Sequence, residues 1–370
     1  MRPGTLDTAE RPLVLIWEVT QACGLACRHC RANAQPNRHE DELTTAEGKQ
    51  LLEGAREFGD GQLVVLSGGD PLVRDDVEEL IEYGTELGLR MTITPSGTRS
   101  LNPERIEGLA EAGLQRMAVS LDGASAESHD AFRGEPGTFD ETIAAIEASQ
   151  AAGVPIQVNT TVCQETVDEL PAIRTLLSDL GIVMWSVFFL VPIGRGKILT
   201  QLDPDEAEAV MDWLREVNAE EPFGLKTTEA PMYRRVSLQH RKEHGDLEDD
   251  AGIRRRTGIV AGDGFAFVSH VGEMYPSGFL PKSAGNVRDT PVYDIYREAD
   301  LFTSIRDRDR LSGKCGACSY NAVCGGSRSR AFAHTGDPLA SDPLCPYVPD
   351  GYDGPLPWEI PETDEVTVGD

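Results

Sequence analysis

Strand-like and helix-like segments alternate six times between residues 13 and 217, and this alternation constrains the fold more than any other feature of the sequence. Most of the strand-like segments are rich in Val, Ile and Thr without clean polar–apolar alternation, which is typical of parallel strands buried on both faces. They are "LVLIWEV" (13–19), "QLVVLSG" (62–68), "RMTITPS" (90–96), "RMAVSLD" (116–122), "PIQVNTTV" (155–162) and "VMWSVFFLV" (183–191).

Helical patterns follow these segments, and the first of them opens with a capping box formed by Thr44 and Glu47. The predicted helices cover residues 44–59, 75–88, 102–113, 139–153, 167–181 and 203–217. Repeated strand–helix units build a parallel sheet with right-handed crossovers. Six units do not complete an eight-unit barrel, so we predict an α/β fold with a partial (β/α)6 TIM-like barrel.

The strand–helix rhythm is lost after residue 217. Residues 240–256 are polar and predict a loop, and residues 264–281 predict a hairpin around "HVGE". The end of the chain is rich in Pro, Asp and Glu, which is typical of disorder. We therefore predict an N-terminal extension (1–11), the barrel (12–217), a small cysteine-rich domain with its linker (218–348) and a disordered acidic tail (349–370).

The overall charge limits the partners of this chain. Its 62 acidic and 34 basic residues give a net charge of −28, which predicts repulsion from nucleic acid and from acidic membranes. The sequence shows no apolar signal peptide and no membrane span, so a cytoplasmic protein is expected. An acidic chain with six lysines also suits a high-salt, halophilic cytoplasm, where ions screen self-repulsion.

Seven of the eight cysteines fall into two tight groups, and clustered cysteines in a cytosolic chain indicate metal ligands. Cys23, Cys27 and Cys30 form the first group, on the loop after the first strand, at the active-site end of a parallel barrel. Three thiolates can hold three irons of a [4Fe–4S] cube and leave the fourth iron open to another ligand. The alternative is a zinc site completed by His29.

The Cx3Cx2C pattern after a first barrel strand resembles the radical S-adenosylmethionine (SAM) enzymes. The resemblance implies that the open iron binds SAM, whose reductive cleavage yields a 5′-deoxyadenosyl radical. His29 occupies the position before the last cysteine, where the family has an aromatic residue. Other stretches that end strands fit the same family, and they imply SAM contacts from Gly68, Gly69, Asp70, Ser96, Ser120, Asp122 and Arg195.

Cys315, Cys318, Cys324 and Cys345 form the second group, which as a set of four could also bind structural zinc. The stretch resembles the SPASM or Twitch extension of radical SAM enzymes, which implies one auxiliary [4Fe–4S] cluster ligated by all four thiols. A closed cluster of this kind suits electron transfer. The remaining Cys163 is expected to be a buried core thiol.

The stretch "GGSRSRAFAHTGDPLASDPLC" is similar to the subgroup around heme b synthase and heme d1 maturation proteins. This resemblance implies oxidative decarboxylation of Fe-coproporphyrin III to heme, with a low-potential electron donor such as ferredoxin or flavodoxin. The alternatives are a SPASM-type maturase that modifies a peptide, and a non-catalytic iron–sulfur or zinc protein that relays electrons or binds a partner.

A tetracarboxylate substrate needs local positive charge in so acidic a chain. Arginine suits bidentate contacts with carboxylates. The candidate cations are Lys226, Arg234, Arg235, Arg241, Lys242, Arg254, Arg255 and Arg256. The candidate contacts to a porphyrin iron are Tyr233, His240, His244 and His270.

Overall fold

A computed structural model of the chain describes residues 7–244 and 259–359. In this part of the chain, nine strands form one curled sheet in the order β7-β6-β5-β4-β3-β2-β1-β8-β9. All neighbours are parallel except β8 and β9. The strands are β1 (Val14–Thr20), β2 (Leu63–Gly68), β3 (Arg90–Ile93), β4 (Arg116–Ser120), β5 (Ile156–Val162), β6 (Met184–Phe189), β7 (Gly224–Thr228), β8 (Phe265–Val268) and β9 (Met274–Tyr275).

The helices of the barrel are α1 (Thr45–Arg56), α2 (Val77–Glu86), α3 (Pro103–Glu111), α4 (Ala126–Arg133), α5 (Thr138–Ala151), α6 (Leu170–Leu180) and α7 (Pro204–Glu220). The later helices are α8 (Met232–His244), α9 (Val292–Glu298), α10 (Asp300–Arg306), α11 (Gly313–Gly316) and α12 (Arg328–Thr335). Each of the six predicted strands and six predicted helices is present at its expected place. The prediction of a partial (β/α) barrel is therefore confirmed.

Side-chain alternation along the strands separates the core from the lumen of the barrel. Leu15, Trp17 and Val19 of β1 are fully buried in the hydrophobic core, whereas Val14 and Ile16 line the cavity inside the barrel. Successive side chains of a strand point to opposite faces of the sheet, so one strand supplies both surfaces. The core is thereby placed between the sheet and the helices, and the inner face remains available for ligands.

The sheet continues beyond the six predicted strands. The boundary proposed at residue 217 falls inside α7, after which β7 pairs with β6 and β8 pairs with β1. The predicted hairpin is present, with Val268 opposite Met274, but its first strand also extends the barrel sheet. The segment 218–348 therefore contributes to the sheet as well as to the second cysteine group.

The loop predicted for residues 240–256 is wrong for its first five residues, which belong to α8. The polar side chains there suit an exposed helix end as well as a loop. Residues 245–256 lie outside the described part of the chain.

Part of the predicted disordered tail is packed. Residues 357–359 form a 3-10 turn, and Lys314 Nζ lies 4.2 Å from the centroid of the Trp358 ring. This contact of a buried cation with an aromatic face joins Trp358 to the second cysteine region. Residues 360–370 lie outside the described part. None of the described helices is long and apolar enough to cross a membrane.

Candidate functional site

The inner face of the sheet encloses a cavity of about 1350 Å³. Its lining includes Cys23, Cys27 and Cys30 at the carboxyl ends of the strands. It also includes Arg90 and Arg116, which begin β3 and β4 at the opposite end. The cavity therefore runs along the whole lumen, and the first cysteine group lies at the end where parallel barrels place their active sites.

Backbone hydrogen bonds close the cysteine loop at its base. Cys23 N donates to Gln35 O at 2.8 Å, and Gln35 N donates to Gln21 O at 2.9 Å. Inside the loop, backbone amides donate to the Cys23 and Cys30 sulfurs at 3.3 and 3.5 Å. All eight cysteines are free thiols. Burial raises the pKa of the Cys23 and Cys27 thiols, so binding of a metal there releases protons.

Arg195 fixes the cysteine loop from the other side of the cavity. Its Nε donates to Cys27 O at 2.9 Å, and its Nη1 donates to Ala34 O at 3.1 Å. The Arg195 backbone amide also donates to Cys30 O at 3.0 Å. Its Nη2 is buried and has no hydrogen-bond partner among the described residues. Two of its three guanidinium nitrogens thus position the loop, and the third is available to a ligand.

A second contact surface comes from the turn after β2. Gly69 N donates to Thr20 O at 2.8 Å and Asp70 N donates to Ala22 O at 2.7 Å, so the turn is fixed against the start of the cysteine loop. Gly68 has a φ of +146°, and a Cβ there would lie 2.1 Å from Thr20 O. The turn therefore requires glycine at this position. Both glycines line the cavity.

Asp70 itself is buried outside the cavity lining. Its Oδ1 accepts a hydrogen bond from Leu72 N at 3.2 Å, and its Oδ2 accepts from the Thr98 and Ser100 hydroxyls at 3.3 and 3.2 Å. The carboxylate thus organises the turn, while the backbone of the two glycines faces the cavity.

The remaining predicted SAM contacts divide into lining and supporting residues. Ser96 and Ser120 line the cavity, and Ser96 Oγ is buried without a nitrogen or oxygen partner in the described chain. Asp122 lies behind them, where its Oδ1 accepts from Thr161 N at 2.7 Å. Burial alone would raise the pKa of the Asp122 carboxyl. The nearby His29 and Arg133 lower this pKa by more, so it lies below its ordinary value. Asp122 is therefore a buried carboxylate that supports the site.

Arg133 is a site residue that the sequence analysis missed. It ends α4, a short polar helix without a clear apolar pattern, and it lines the cavity. Its Nη1 lies 3.2 Å from His29 Nε2 and 3.6 Å from Asp122 Oδ2. His29 also stacks on Phe132, with ring centroids 4.7 Å apart. Burial lowers the pKa of His29 to about 4, so the ring is neutral at pH 7 and is held by these neighbours.

A buried ion pair connects the cysteine loop to β1 and β8. Glu18 Oε2 lies 3.0 Å from Arg31 Nη1, and Glu18 Oε1 lies 3.0 Å from His270 Nδ1. Arg31 also lies over the Phe267 ring at 4.5 Å. His270 was a candidate porphyrin contact, but it is not among the cavity-lining residues and its ring serves this ion pair.

The second cysteine group surrounds its own small pocket. Cys315, Cys318, Cys324 and Cys345 all line it, together with the buried cations Arg235 and Lys314. Arg235 Nη2 lies 3.9 Å from Cys345 Sγ, and Lys314 Nζ donates to Cys345 O. Backbone amides donate to the sulfurs of Cys315, Cys318 and Cys324 at 3.4 Å each. The four predicted ligands are thus brought together.

The spacing of side chains bears on the zinc alternative for both groups. In the described residues, no three His, Cys, Asp or Glu side chains converge closely enough to hold a single metal ion. A tetrahedral zinc with bonds of about 2.3 Å to sulfur needs its thiolates in near contact. A [4Fe–4S] cube attaches each thiolate to a different iron and therefore needs them further apart. Zinc and a [4Fe–4S] cluster thus require different spacings of the thiols.

The stretch that contains α12 joins the second cysteine group to the barrel. The fully buried Arg330 donates from Nη2 to the carbonyl oxygens of Phe189 and Glu229, at 3.2 and 2.9 Å. Its Nη1 lies 3.3 Å from Asp342. This part of the "GGSRSR" motif therefore has a structural role.

Cys163 is fully buried against Phe132, and burial raises the pKa of its thiol to about 12, which confirms it as a core thiol.

The candidate cations between the two cysteine groups lie in different places in the structure. Lys226, Arg234 and Arg241 line the large cavity, as do Tyr233 and His240. Arg235 belongs to the second cysteine pocket. Lys242 and His244 do not line either pocket, and His244 stacks on His240. Arg254, Arg255 and Arg256 lie outside the described residues.

Comparison with known proteins identifies relatives along nearly the whole chain. Residues 17–177 match the radical SAM superfamily. The AdoMet-dependent heme synthase of Methanosarcina barkeri (strain Fusaro / DSM 804) is 42% identical over 341 residues, which are 91% of this chain and 97% of the relative. The protein of the same name from Nitratidesulfovibrio vulgaris is 40% identical, over 94% of this chain and 96% of the relative. Pre-heme d1 synthase of Dinoroseobacter shibae is 30% identical, over 90% and 85%.

Solved structures share the fold at lower sequence identity. The crystal structure of Streptococcus suis SuiB bound to S-adenosylmethionine aligns with a TM-score of 0.69 at 17% identity, over 91% of this chain and 78% of that one. The structure of anSMEcpe with bound AdoMet and the Cp18Cys peptide aligns with a TM-score of 0.65 at 16% identity, over 90% and 93%.

Proposed function

Because this chain belongs to the radical SAM superfamily, we propose that it converts Fe-coproporphyrin III to heme by oxidative decarboxylation of two propionate side chains. Relatives named AdoMet-dependent heme synthase, at 40 and 42% identity over more than nine-tenths of this chain, support this substrate. The chain is an enzyme of oxidative radical chemistry. The observation that carries the substrate assignment is the charge of the cavity.

The cavity is cationic in a strongly acidic protein. Among the described residues that line it are nine arginines, one lysine and a single acidic residue, Glu229. The whole chain, by contrast, has 62 acidic and 34 basic residues. A large cavity with an excess of positive charge suits a bulky ligand with several carboxylates, and arginine is suited to bind them. Fe-coproporphyrin III carries four.

The residues of the first cysteine group fit a [4Fe–4S] cluster with SAM. Cys23, Cys27 and Cys30 would hold the cluster, since their free thiols face the cavity. The buried Ser96 Oγ and Arg195 Nη2, which have no nitrogen or oxygen partner in the described chain, mark polar positions for a ligand beside them. When bound, the cluster and SAM supply a one-electron reduction that generates a carbon radical able to remove a hydrogen atom from substrate.

We propose that the other residues of this region either bind SAM or hold the SAM-binding residues in place. The Gly68–Gly69 backbone would accept the SAM amino group, with Asp70 holding the turn in place. Ser96 and Ser120 would bond the ribose and its surroundings, and Arg195 would pair the SAM carboxylate through Nη2. Asp122 would keep Arg133 and His29 in position behind the site, because it contacts both.

We propose that Cys315, Cys318, Cys324 and Cys345 hold one auxiliary [4Fe–4S] cluster. Conversion of a propionate to a vinyl group releases CO2 and requires removal of one hydrogen atom and one further electron. An auxiliary cluster is suited to accept that electron, and buried cations beside it favour its reduced form. We place the enzyme in the cytoplasm, where thiols stay reduced and where ferredoxin or flavodoxin is available as the electron donor.

The test is anaerobic turnover. The protein is reconstituted with iron and sulfide in high salt and mixed with SAM, a strong reductant and Fe-coproporphyrin III. Stepwise loss of two formic-acid equivalents from the tetrapyrrole, detected by mass spectrometry with formation of 5′-deoxyadenosine, is the expected result. An unchanged porphyrin beside abundant 5′-deoxyadenosine would reject this substrate and direct the search to a peptide.

Three cysteine variants test the cluster assignments. Cys23→Ala is expected to lose SAM cleavage, whereas Cys163→Ala is expected to keep it, because Cys163 is a core thiol outside both groups. If Cys23→Ala still cleaves SAM, the cluster assignment is wrong. Cys318→Ala is expected to lose about half of the bound iron, while a zinc site there would leave the iron content unchanged and lower the zinc content.

A further inference from the structure

Among the described residues of the cavity lining, Arg90, Arg116 and Lys226 differ from the cations that are held by carboxylates or by backbone carbonyls. Arg31 pairs with Glu18, Arg133 with Asp122, and Arg215 with Asp212 and Glu216. Arg195 and Arg11 donate to backbone carbonyls. Arg90, Arg116 and Lys226, by contrast, form no ion pair with any described residue. Arg116 Nη1 lies 3.8 Å from the Met184 sulfur.

Arg90 and Arg116 lie on neighbouring strands, since Thr92 is the register partner of Arg116, and Lys226 lines the same cavity from β7. Burial lowers the pKa of Arg116, and the nearby Arg90 lowers it further. Burial likewise lowers the pKa of Lys226, and the nearby Arg116 adds to the effect. Arg90 and Lys226 are exposed and Arg116 is half-buried, and all three line the cavity. A cavity wall lined by like charges attracts an anionic ligand.

The position of the group in the barrel limits what the anion can be. Arg90 and Arg116 begin β3 and β4, whereas Ser96 and Ser120 lie at the opposite end of the same strands. At about 3.3 Å per residue, the two ends are separated by roughly 13 Å along β4 and 20 Å from Arg90 to Ser96. A ligand that reaches both ends must be long or wide, and its anionic groups must lie at both of its edges.

We propose that Arg90, Arg116 and Lys226 form a carboxylate subsite that binds the two propionates of Fe-coproporphyrin III that are not converted. The proposal rests on the function proposed above and adds the orientation of the substrate. The macrocycle lies in the lumen between the two ends of the strands. The reacting propionates face the first cysteine group, and the retained propionates face the three cations.

The experiment measures porphyrin binding by anaerobic absorption titration, with Fe-coproporphyrin III and with heme as probes. Heme keeps only the two propionates that the subsite would bind. Lys226→Gln and Arg116→Gln are therefore each expected to weaken binding of both porphyrins, by the same factor of roughly tenfold or more. The double variant is expected to weaken it more than either single variant does. Lys282→Gln removes an exposed lysine outside the cavity and serves as the charge-matched control.

Iron content and cleavage of SAM without porphyrin report whether each variant is folded and loaded, and both are expected to match the wild type. Lys226 lies on a half-exposed edge strand, so Lys226→Gln tests the proposal even if the double variant does not fold.

Three results would overturn the subsite. Unchanged binding in folded variants would reject the assignment and leave the proposed function intact. Weaker binding of Fe-coproporphyrin III with unchanged binding of heme would place the cations at the reacting propionates instead. A wild-type protein that binds neither porphyrin would reject the subsite and the proposed function together.

Discussion

The guanidinium of Arg195 donates a hydrogen bond of 2.9 Å from Nε to the carbonyl oxygen of Cys27, which joins the loop after β6 to the first cysteine loop. The two residues are 168 positions apart in the chain. Because Arg195 Nη1 also bonds Ala34 O, one side chain holds the loop at two points. The geometry of the cysteines thus depends on a strand that lies five places away in the sheet.

Arg195→Ala is expected to loosen the cysteine loop. Loss of a charged donor to a buried carbonyl costs about 1.5–3 kcal/mol. The iron at the first group should therefore be lost to a chelator about tenfold faster or more. Anaerobic chelator challenge, followed by absorbance, measures this rate. Lys197→Ala removes an exposed cation from the same segment and should leave the rate unchanged. Equal rates in the two variants would show that Arg195 does not hold the loop.

Gly68→Ala should destabilise the turn that lines the cavity. The new Cβ would lie 2.1 Å from Thr20 O at a φ of +146°, so the backbone must shift. We expect a loss of about 2–4 kcal/mol, with weaker SAM binding, because overpacking and a disfavoured φ act together. Gly24→Ala is the control, since a Cβ at Gly24 meets no atom within 4 Å. Comparable thermal unfolding of the two variants would contradict the steric argument.

The repeating barrel could be predicted from the sequence because each unit carries its own signals. Thr44 and Glu47 form the capping box that the sequence predicts, and the predicted strand residues 13–19 differ from β1 by a single position at each end. The SAM-side motifs were found because they follow hydrophobic strands. The cysteine groups stood out through their spacing alone.

The last strands of the sheet and the buried polar contacts of the site could not be predicted, because they depend on contacts between distant residues. The strand β7 is short and half-exposed, and its sequence "GLKTT" has no apolar run. Arg133 lies at the end of a polar helix, and its role becomes visible only when His29 and Asp122 are brought beside it. The Glu18–His270 contact joins residues 252 positions apart. No local pattern encodes any of these pairings.

Stability should fall on mild acidification because of His129. Its ring is fully buried, and Nδ1 accepts a hydrogen bond from Asp122 N at 3.1 Å. Burial lowers the pKa of His129 from 6.5 to about 4, so the unfolded chain binds this proton more readily than the folded one. The stabilising contribution is complete above pH 6.5 and declines as the pH falls toward 4. At pH 5.5 the loss should be about 1.4 kcal/mol.

His129→Gln removes this titration and tests the assignment. Urea unfolding at pH 7.5 and 5.5, at constant salt, gives the change in unfolding free energy for both chains. The other buried groups, including His29, remain in both chains and cancel in the difference. The wild type should lose about 1.3 kcal/mol more than the variant on acidification. Parallel profiles would exclude His129 as the responsible group.

Lys314 should raise the reduction potential of the cluster that we assign to the second cysteine group. The ammonium is buried, lines the pocket and donates to Cys345 O. A buried positive charge in the lining of this pocket stabilises the more negative, reduced cluster. Its removal in Lys314→Met should therefore lower the midpoint potential by about 50–150 mV. Redox titration followed by electron paramagnetic resonance measures the potentials of both clusters in one sample.

The cluster at the first cysteine group is the internal reference, and its potential should not shift. Lys314→Arg keeps the positive charge and should therefore restore most of the potential of the second cluster. A shift in Lys314→Arg equal to that in Lys314→Met would mean that packing of the side chain, not its charge, sets the potential.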